Sequence, residues 1–134
     1  MVAHGVAYDL RTLPTLVAAS GKDIVGIVTY VIERDSLEVV SIDAVPPGRG
    51  TGTELLAAAV ELARSTGLRR VWLITTNDNI DALRFYQRRG MRIAAVSPGA
   101  VDRSRSLKPS IPLVGAYGIP LRDELTLELL IVGG

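Results

Sequence analysis

The chain has 134 residues, enough for one domain with a single core, and is 48% hydrophobic and 22% charged. Fifteen basic and fourteen acidic side chains nearly cancel, which argues against a dedicated nucleic-acid or membrane-surface binder. The lack of cysteine excludes disulfides, zinc–thiolate sites and cysteine nucleophiles.

One Trp, one Phe and four Tyr leave the core to aliphatic side chains. The opening MVAHGVAYDLRTLP lacks the charged start and long apolar stretch of a signal peptide. No apolar run approaches the roughly 20 residues that span a bilayer. A cytoplasmic location is the default reading.

In chain order, Val2 to Leu10 alternates weakly and reads as a strand. LVAAS (16–20), a turn at Gly21–Asp23 and IVGIVTYVIE (24–33) form a β-hairpin rich in β-branched residues. Arg34–Ser36 turns the chain into another strand, LEVVSIDAV (37–45). The glycine-rich PPGRGTGTELL (46–56) follows. Leu55, Ala59, Leu62 and Thr66, beside Leu56, Ala63 and Gly67, then recur at helical steps, with Gly67 at the C′ position. VWLIT (71–75) reads as a buried strand, so strand, loop, helix and strand make a βαβ unit with parallel strands.

The polar TTNDN (75–79) opens a second helix, Ile80 to Arg89, with Asp81 at its start, Arg88 and Arg89 at its end and Gly90 closing it. MRIAAV (91–96) is a strand, Ala100 to Lys108 a short helix, and LTLELLIV (125–132) the last strand. There is no internal repeat or linker, so the chain reads as one α/β domain over residues 1–134 with a mixed sheet.

Gly48, Gly50 and Gly52 alternate directly before the first helix. Thr51-Gly52-Thr53-Glu54 matches a capping box, which would put Thr51 at the cap. Capping alone does not require three glycines. Bare backbone N–H groups that must approach an anion at a helix N-terminus do. The loop fits neither common nucleotide motif: no lysine follows Gly52, and Thr53 and Leu55 stand where a dinucleotide fingerprint needs glycine.

The loop does resemble the acetyl-CoA motif of the GNAT N-acetyltransferase superfamily, (Q/R)-x-x-G-x-(G/A), with Gly50 and Gly52 at the two small positions. Pro47 stands where the family usually has Gln or Arg, which leaves Arg49 as the side-chain partner for phosphate. TTNDNIDALRFYQRRGM (75–91) resembles the family's second signature, an Asn before a helix carrying A-x-x-F-Y and then a glycine. Asn79 and Tyr86 fall on its positions. The likeness is close over residues 22–93.

The resemblance implies a GNAT-like α+β fold: a mixed, largely antiparallel sheet with a central parallel βαβ acetyl-CoA-binding unit. It implies an acyltransferase that uses acetyl-CoA and no metal. The cofactor would be held by backbone of Ile42, Ala44 and Val45 on the strand, by Gly48, Arg49, Gly50, Thr51, Gly52 and Thr53 in the loop, and by Asn79 and Tyr86. Tyr86 would be the general acid: a pKa of about 10 keeps it protonated, and a thiolate near about 8.5 needs only partial help. Asn79 also suits an N-cap. Asp43 is the preferred general base, with Glu38 the alternative. Their odd spacing puts the two on opposite faces of a regular strand, so only one can serve a given site. His4 has no motif around it and reads as structural. Arg122, Asp123 and Glu124 are candidates for acceptor recognition or a solvated turn.

Relatives begin with a strand and one or two helices that wall the acceptor site, whereas this sequence enters almost directly at the hairpin, without that module. Two hypotheses follow: an open acceptor cleft, or a homodimer in which the second subunit supplies the wall. The expected acceptor is an amine on a small molecule or peptide. The reading from another class is a catalytically idle acyl-CoA-binding or sensory domain.

Overall fold

The computed structural model describes residues 2–3, 6–7, 13–44 and 50–132. The expectations placed on His4, Val45, Pro47, Gly48 and Arg49 lie outside the described residues. The chain divides into two compact units, Leu10–Leu73 with Leu129–Gly134, and Met1–Asp9 with Ile74–Glu128.

In the first unit, β3 (Thr15–Ser20), β4 (Asp23–Glu33) and β5 (Ser36–Ala44) form the expected antiparallel meander. The β4–β5 turn is tight enough to hold Arg34 at a φ of 59°. Helix α1 (Thr51–Ser65) packs against all three strands. It buries Leu55, Leu56, Ala59 and Ala63, which fall on one face at the helical period. It ends as expected, with Gly67 at C′. The Leu68 N–H donates to Ala63 O at 2.8 Å and the Gly67 N–H to Arg64 O at 3.2 Å, the two bonds of a Schellman motif. The chain then enters β6 (Arg70–Thr76), whose first half pairs with β5 in parallel at Ser36↔Arg70, Leu37↔Val71 and Glu38↔Trp72. The predicted βαβ unit is therefore present.

In the second unit, the end of β6 leads through Asn77–Asn79 into α2 (Ile80–Arg88), then β7 (Arg92–Ser97), a short α3 (Ala100–Ser104), a 3-10 turn at Ala116–Gly118 and β8 (Glu124–Leu130). β8 lies between β6 and β7 and pairs with β7 antiparallel. Tyr86, Met91, Val101, Leu121 and Leu127 are buried here. The first residues differ from expectation. Val2 to Leu10 is not one strand: β1 (Val2–Ala3) and β2 (Val6–Ala7) pair with each other, Val2 opposite Ala7.

The six-stranded sheet is mixed and mainly antiparallel, as expected. No helix among the described residues is long and apolar enough to cross a membrane.

Candidate functional site

The glycine-rich loop delivers α1 in a way the sequence pattern mislabels. The N-cap is Gly50, left-handed at φ 80° and ψ −3°, and no side chain caps the helix. The capping box with Thr51 as cap is not formed. Thr51 is already the first helical residue and is buried, because its methyl packs over Gly26 of β4. A Cβ at Gly26 would come within 2.6 Å of Thr51 Cγ2 and 2.8 Å of Leu55 Cδ1. Side chains are thus absent at Gly26 so that α1 can sit close to the sheet, and at Gly50 so that the chain can turn into it. The first helical bond is Glu54 N–H to Gly50 O at 3.1 Å. The N–H groups before it have no intrahelical acceptor and form the positive end of the helix dipole.

Ile42, Asp43 and Ala44 stand at the C-terminal end of β5, opposite Val28, Ile27 and Gly26 of β4. Among the described residues the parallel register with β6 ends at Glu38↔Trp72, although β5 runs on to Ala44. Among the described residues, Ile42, Asp43 and Ala44 therefore have ladder partners only on the β4 side. Gly26 opposes Ala44 and also faces Thr51, so the structure brings Ala44, Gly26, Thr51 and the start of α1 together.

The register also corrects the reading of the two carboxylates. Thr29 opposes Ser41 while Tyr30 opposes Val39, so Val40 is an extra residue on β5. Such a bulge resets the alternation by one. Glu38 opposes Val31 and Asp43 opposes Ile27. Val31 and Ile27 share a face of β4, so Glu38 and Asp43 share a face of the sheet. Glu38 is 6% exposed, whereas Asp43 is exposed.

In the second unit, Asn79 caps α2: its Oδ1 accepts from the Ala82 N–H at 3.3 Å. Tyr86 follows on the same side of the helix and is buried, its ring edge-on to Phe85 at 5.1 Å between centroids. The two residues before Asn79 have a function that sequence reasoning missed. Asn77 Oδ1 accepts from the Arg122 and Asp123 N–H groups at 3.0 Å each, and its Nδ2 donates to Pro120 O at 2.9 Å. Asp78, 8% exposed, accepts from Thr76 Oγ1 at 2.5 Å and from the Ala116 N–H at 2.9 Å. Gly115 passes so close to the Asp78 carboxylate that a Cβ there would overlap it. The turn before α2 is thereby bolted to the β7–β8 connection. The sequence signal was the unusual density of short polar side chains in TTNDN, which reads only as a turn.

That connection presents Tyr117, 69% exposed and held at φ 58°. Its hydroxyl donates to Asp81 Oδ1 at 2.6 Å. The hydrogen bond, and then the charge of Asp81, raise the Tyr117 pKa above its ordinary 10.0. Of the candidates before the last strand, Asp123 is structural, since its Oδ1 accepts from the Gly99 N–H at 2.8 Å. Glu124 is buried and Arg122 is exposed.

The profile of the Acetyltransferase (GNAT) family matches residues 5–91. The chain is 48% identical over 104 residues to the uncharacterized protein YxbD of Bacillus subtilis (strain 168), covering 78% of this chain and 65% of that one. It therefore spans just under two thirds of that relative's length. Among solved structures it resembles a Bacillus subtilis acetyltransferase in complex with CoA, at 25% identity and a TM-score of 0.78, covering 92% of this chain and 80% of that one. It also resembles an IAA acetyltransferase from Bacillus cereus, at 27% identity and a TM-score of 0.75, covering 87% and 77%. With the family profile spanning most of the sequence, the chain belongs to the GNAT acetyltransferase family.

Proposed function

We propose that the protein transfers an acetyl group from acetyl-CoA to an amine by direct attack. The observation that carries this reading is the start of α1, where a left-handed Gly50 stands in place of any side-chain cap, an arrangement suited to an anion at the helix N-terminus. The donor's pyrophosphate is assigned to Gly50, Thr51, Gly52 and Thr53 at the helix start, with Gly48 and Arg49 its sequence-derived partners just before them. The backbone of β5 at Ile42 and Ala44, with Val45 next in the sequence, is assigned to the amide-bearing arm of the donor, which can add to it as a strand would. An N–H there would polarise the thioester carbonyl. Asn79 is assigned a further contact to the donor, compatible with its capping bond.

In the proposed reaction the amine loses its proton to Asp43 and its nitrogen attacks the thioester carbonyl. The C–N bond forms, the C–S bond breaks, and the thiolate takes the Tyr86 hydroxyl proton. The bulge at Val40 turns Glu38 to the same face as Asp43, so Glu38 is the alternative base. The CoA-bound Bacillus subtilis neighbour supports acyl-CoA as donor. The acceptor is an amine on a small molecule or a peptide, and the place of action is the cytoplasm.

The test is a calorimetric titration with acetyl-CoA followed by an assay for released CoA across an amine panel. Saturable binding with CoA release for at least one amine is expected. Binding without release for any amine would instead favour an idle acyl-CoA-binding domain, and no binding would overturn both. Tyr86→Phe should retain binding while turnover falls about 10²-fold or more. An unchanged rate would remove Tyr86 as the acid.

A further inference from the structure

Residues 84–92, RFYQRRGMR, hold four arginines and no acid. Arg84, Arg88 and Arg89 line a surface cavity of about 450 Å³ with Asp81 and Phe85. The helix dipole accounts for Arg88 and Arg89, which lie at the C-terminal end of α2. It does not account for Arg84. Arg84 and Arg88 stand four residues apart, where like charges repel.

The one acid in the cavity does little to neutralise them. Asp81 Oδ1 already accepts from Tyr117 at 2.6 Å, and the Arg84 guanidinium is 3.8 Å from that same oxygen. The Arg88 guanidinium has no hydrogen bond or ion pair among the described residues. Arg89 is fixed rather than mobile: it stacks on Phe85 at 3.8 Å and donates to Phe85 O at 2.8 Å. The cavity thus combines the oriented Arg89 guanidinium with Arg84, whose acid is 3.8 Å away and shared with Tyr117, and with Arg88. Three forks around one concavity suit a tetrahedral dianion, whose oxygens accept from several of them, better than a single carboxylate.

Arg84 and Arg88 are not on the stripe that carries the family's signature. Asn79, Ala82 and Tyr86 recur on one side of α2, and Arg84 and Arg88 lie roughly 160° round the helix from it, with Arg89 nearer the signature side. We propose that the outward face of α2 is a second anion site, which takes the phosphate group of a ligand distinct from the acetyl donor. The site is exposed, so its affinity falls with ionic strength.

The probes are inorganic phosphate, CoA and dephospho-CoA, and the readouts are NMR shifts of the Arg84 and Arg88 backbone and side-chain N–H signals together with calorimetry. Phosphate should give saturable shifts at Arg84 and Arg88, with CoA present or absent, that chloride at equal ionic strength does not reproduce. Arg84→Gln/Arg88→Gln should weaken phosphate binding at least tenfold and leave the affinity for CoA unchanged. Non-saturating shifts, or shifts that chloride reproduces, overturn the site in the wild-type protein alone, whether or not the variant folds. A variant that loses affinity for CoA but not for dephospho-CoA also overturns it, by assigning the arginines to the donor's 3′-phosphate. Saturable phosphate binding in a protein that binds no CoA would leave this site standing and bring down the acetyl-transfer reading instead.

Discussion

Glu38 and Asp43 occupy the same face of the sheet because Val40 is an extra residue between them on β5. A strict two-residue alternation would have opposed them. Both carboxylates are therefore candidates for the same proton. Asp43→Asn should lower kcat by about 10²-fold, the usual contribution of a positioned base. Glu38→Gln should leave the acid limb of the pH–rate profile in place. If the limb disappears with Glu38→Gln and survives Asp43→Asn, the base is Glu38.

Gly50 carries the second prediction. Among the described residues nothing lies within 4 Å of a Cβ built there, yet its φ of 80° is one that side chains resist. Gly50→Val should therefore act through the backbone rather than by collision. The left-handed conformation costs an L-residue about 1–2 kcal/mol, and a β-branched side chain is at the upper end. Relief of that strain would swing the first N–H groups of α1 away from their common direction. Acetyl-CoA affinity should fall at least tenfold by calorimetry while circular dichroism keeps its native shape. Undiminished affinity in a folded variant would mean that the loop does not hold the donor.

Gly115 behaves in the opposite way, since its φ is ordinary for any residue but its space is not. Gly115→Ala should force apart the Asp78 carboxylate and the Ala116 N–H. Overpacking of this kind costs about 1–3 kcal/mol, visible as a lower denaturation midpoint. Adding Asp78→Ala to Gly115→Ala should cost less than the sum of the two single changes, because removing the carboxylate relieves the collision that Gly115→Ala creates. Additive losses would show that the contact is unimportant.

Tyr117 provides a pH-dependent readout. Its pKa is raised by the bond to Asp81, so the neutral phenol is favoured in the folded state. The bond's contribution is complete below the ordinary tyrosine value of about 10 and is lost as pH rises through the higher folded value. Asp81→Asn should bring the titration of Tyr117, followed by phenolate absorbance, back toward that ordinary value. A curve that does not move would exclude the bond in solution.

What the sequence made legible follows from what each feature needs. The β4–β5 hairpin, α1, β6 and α2 are each set by a local period and a stop signal, and all four lie within two residues of expectation. The Asn79 cap and the Gly67 terminus were equally local. The bulge was not, because Val39, Val40, Ser41 and Ile42 suit a regular strand as well as a bulged one. The start of α1 was misread because Thr51-x-x-Glu54 satisfies a capping pattern one residue too late, and only the tertiary contact of Thr51 with Gly26 decides between the two. The anchoring of Asn77 and Asp78 to residues 115–123 was hidden for the same reason: their partners are some 40 residues away in the chain. Long-range hydrogen bonds leave no periodicity to read.

Arg105 has a consequence for anyone who would exchange parts between relatives. Its guanidinium donates to the carbonyls of Ile111, Pro112 and Leu121 and to Asp102. One side chain near the start of the β7–β8 connection therefore gathers in both its middle and its end. A transplanted segment covering only residues 111–121 would arrive without the group that folds it back. The transferable module begins at Asp102 and ends at Asp123, and a chimera cut at those borders should keep its loop in shape where a shorter graft would not.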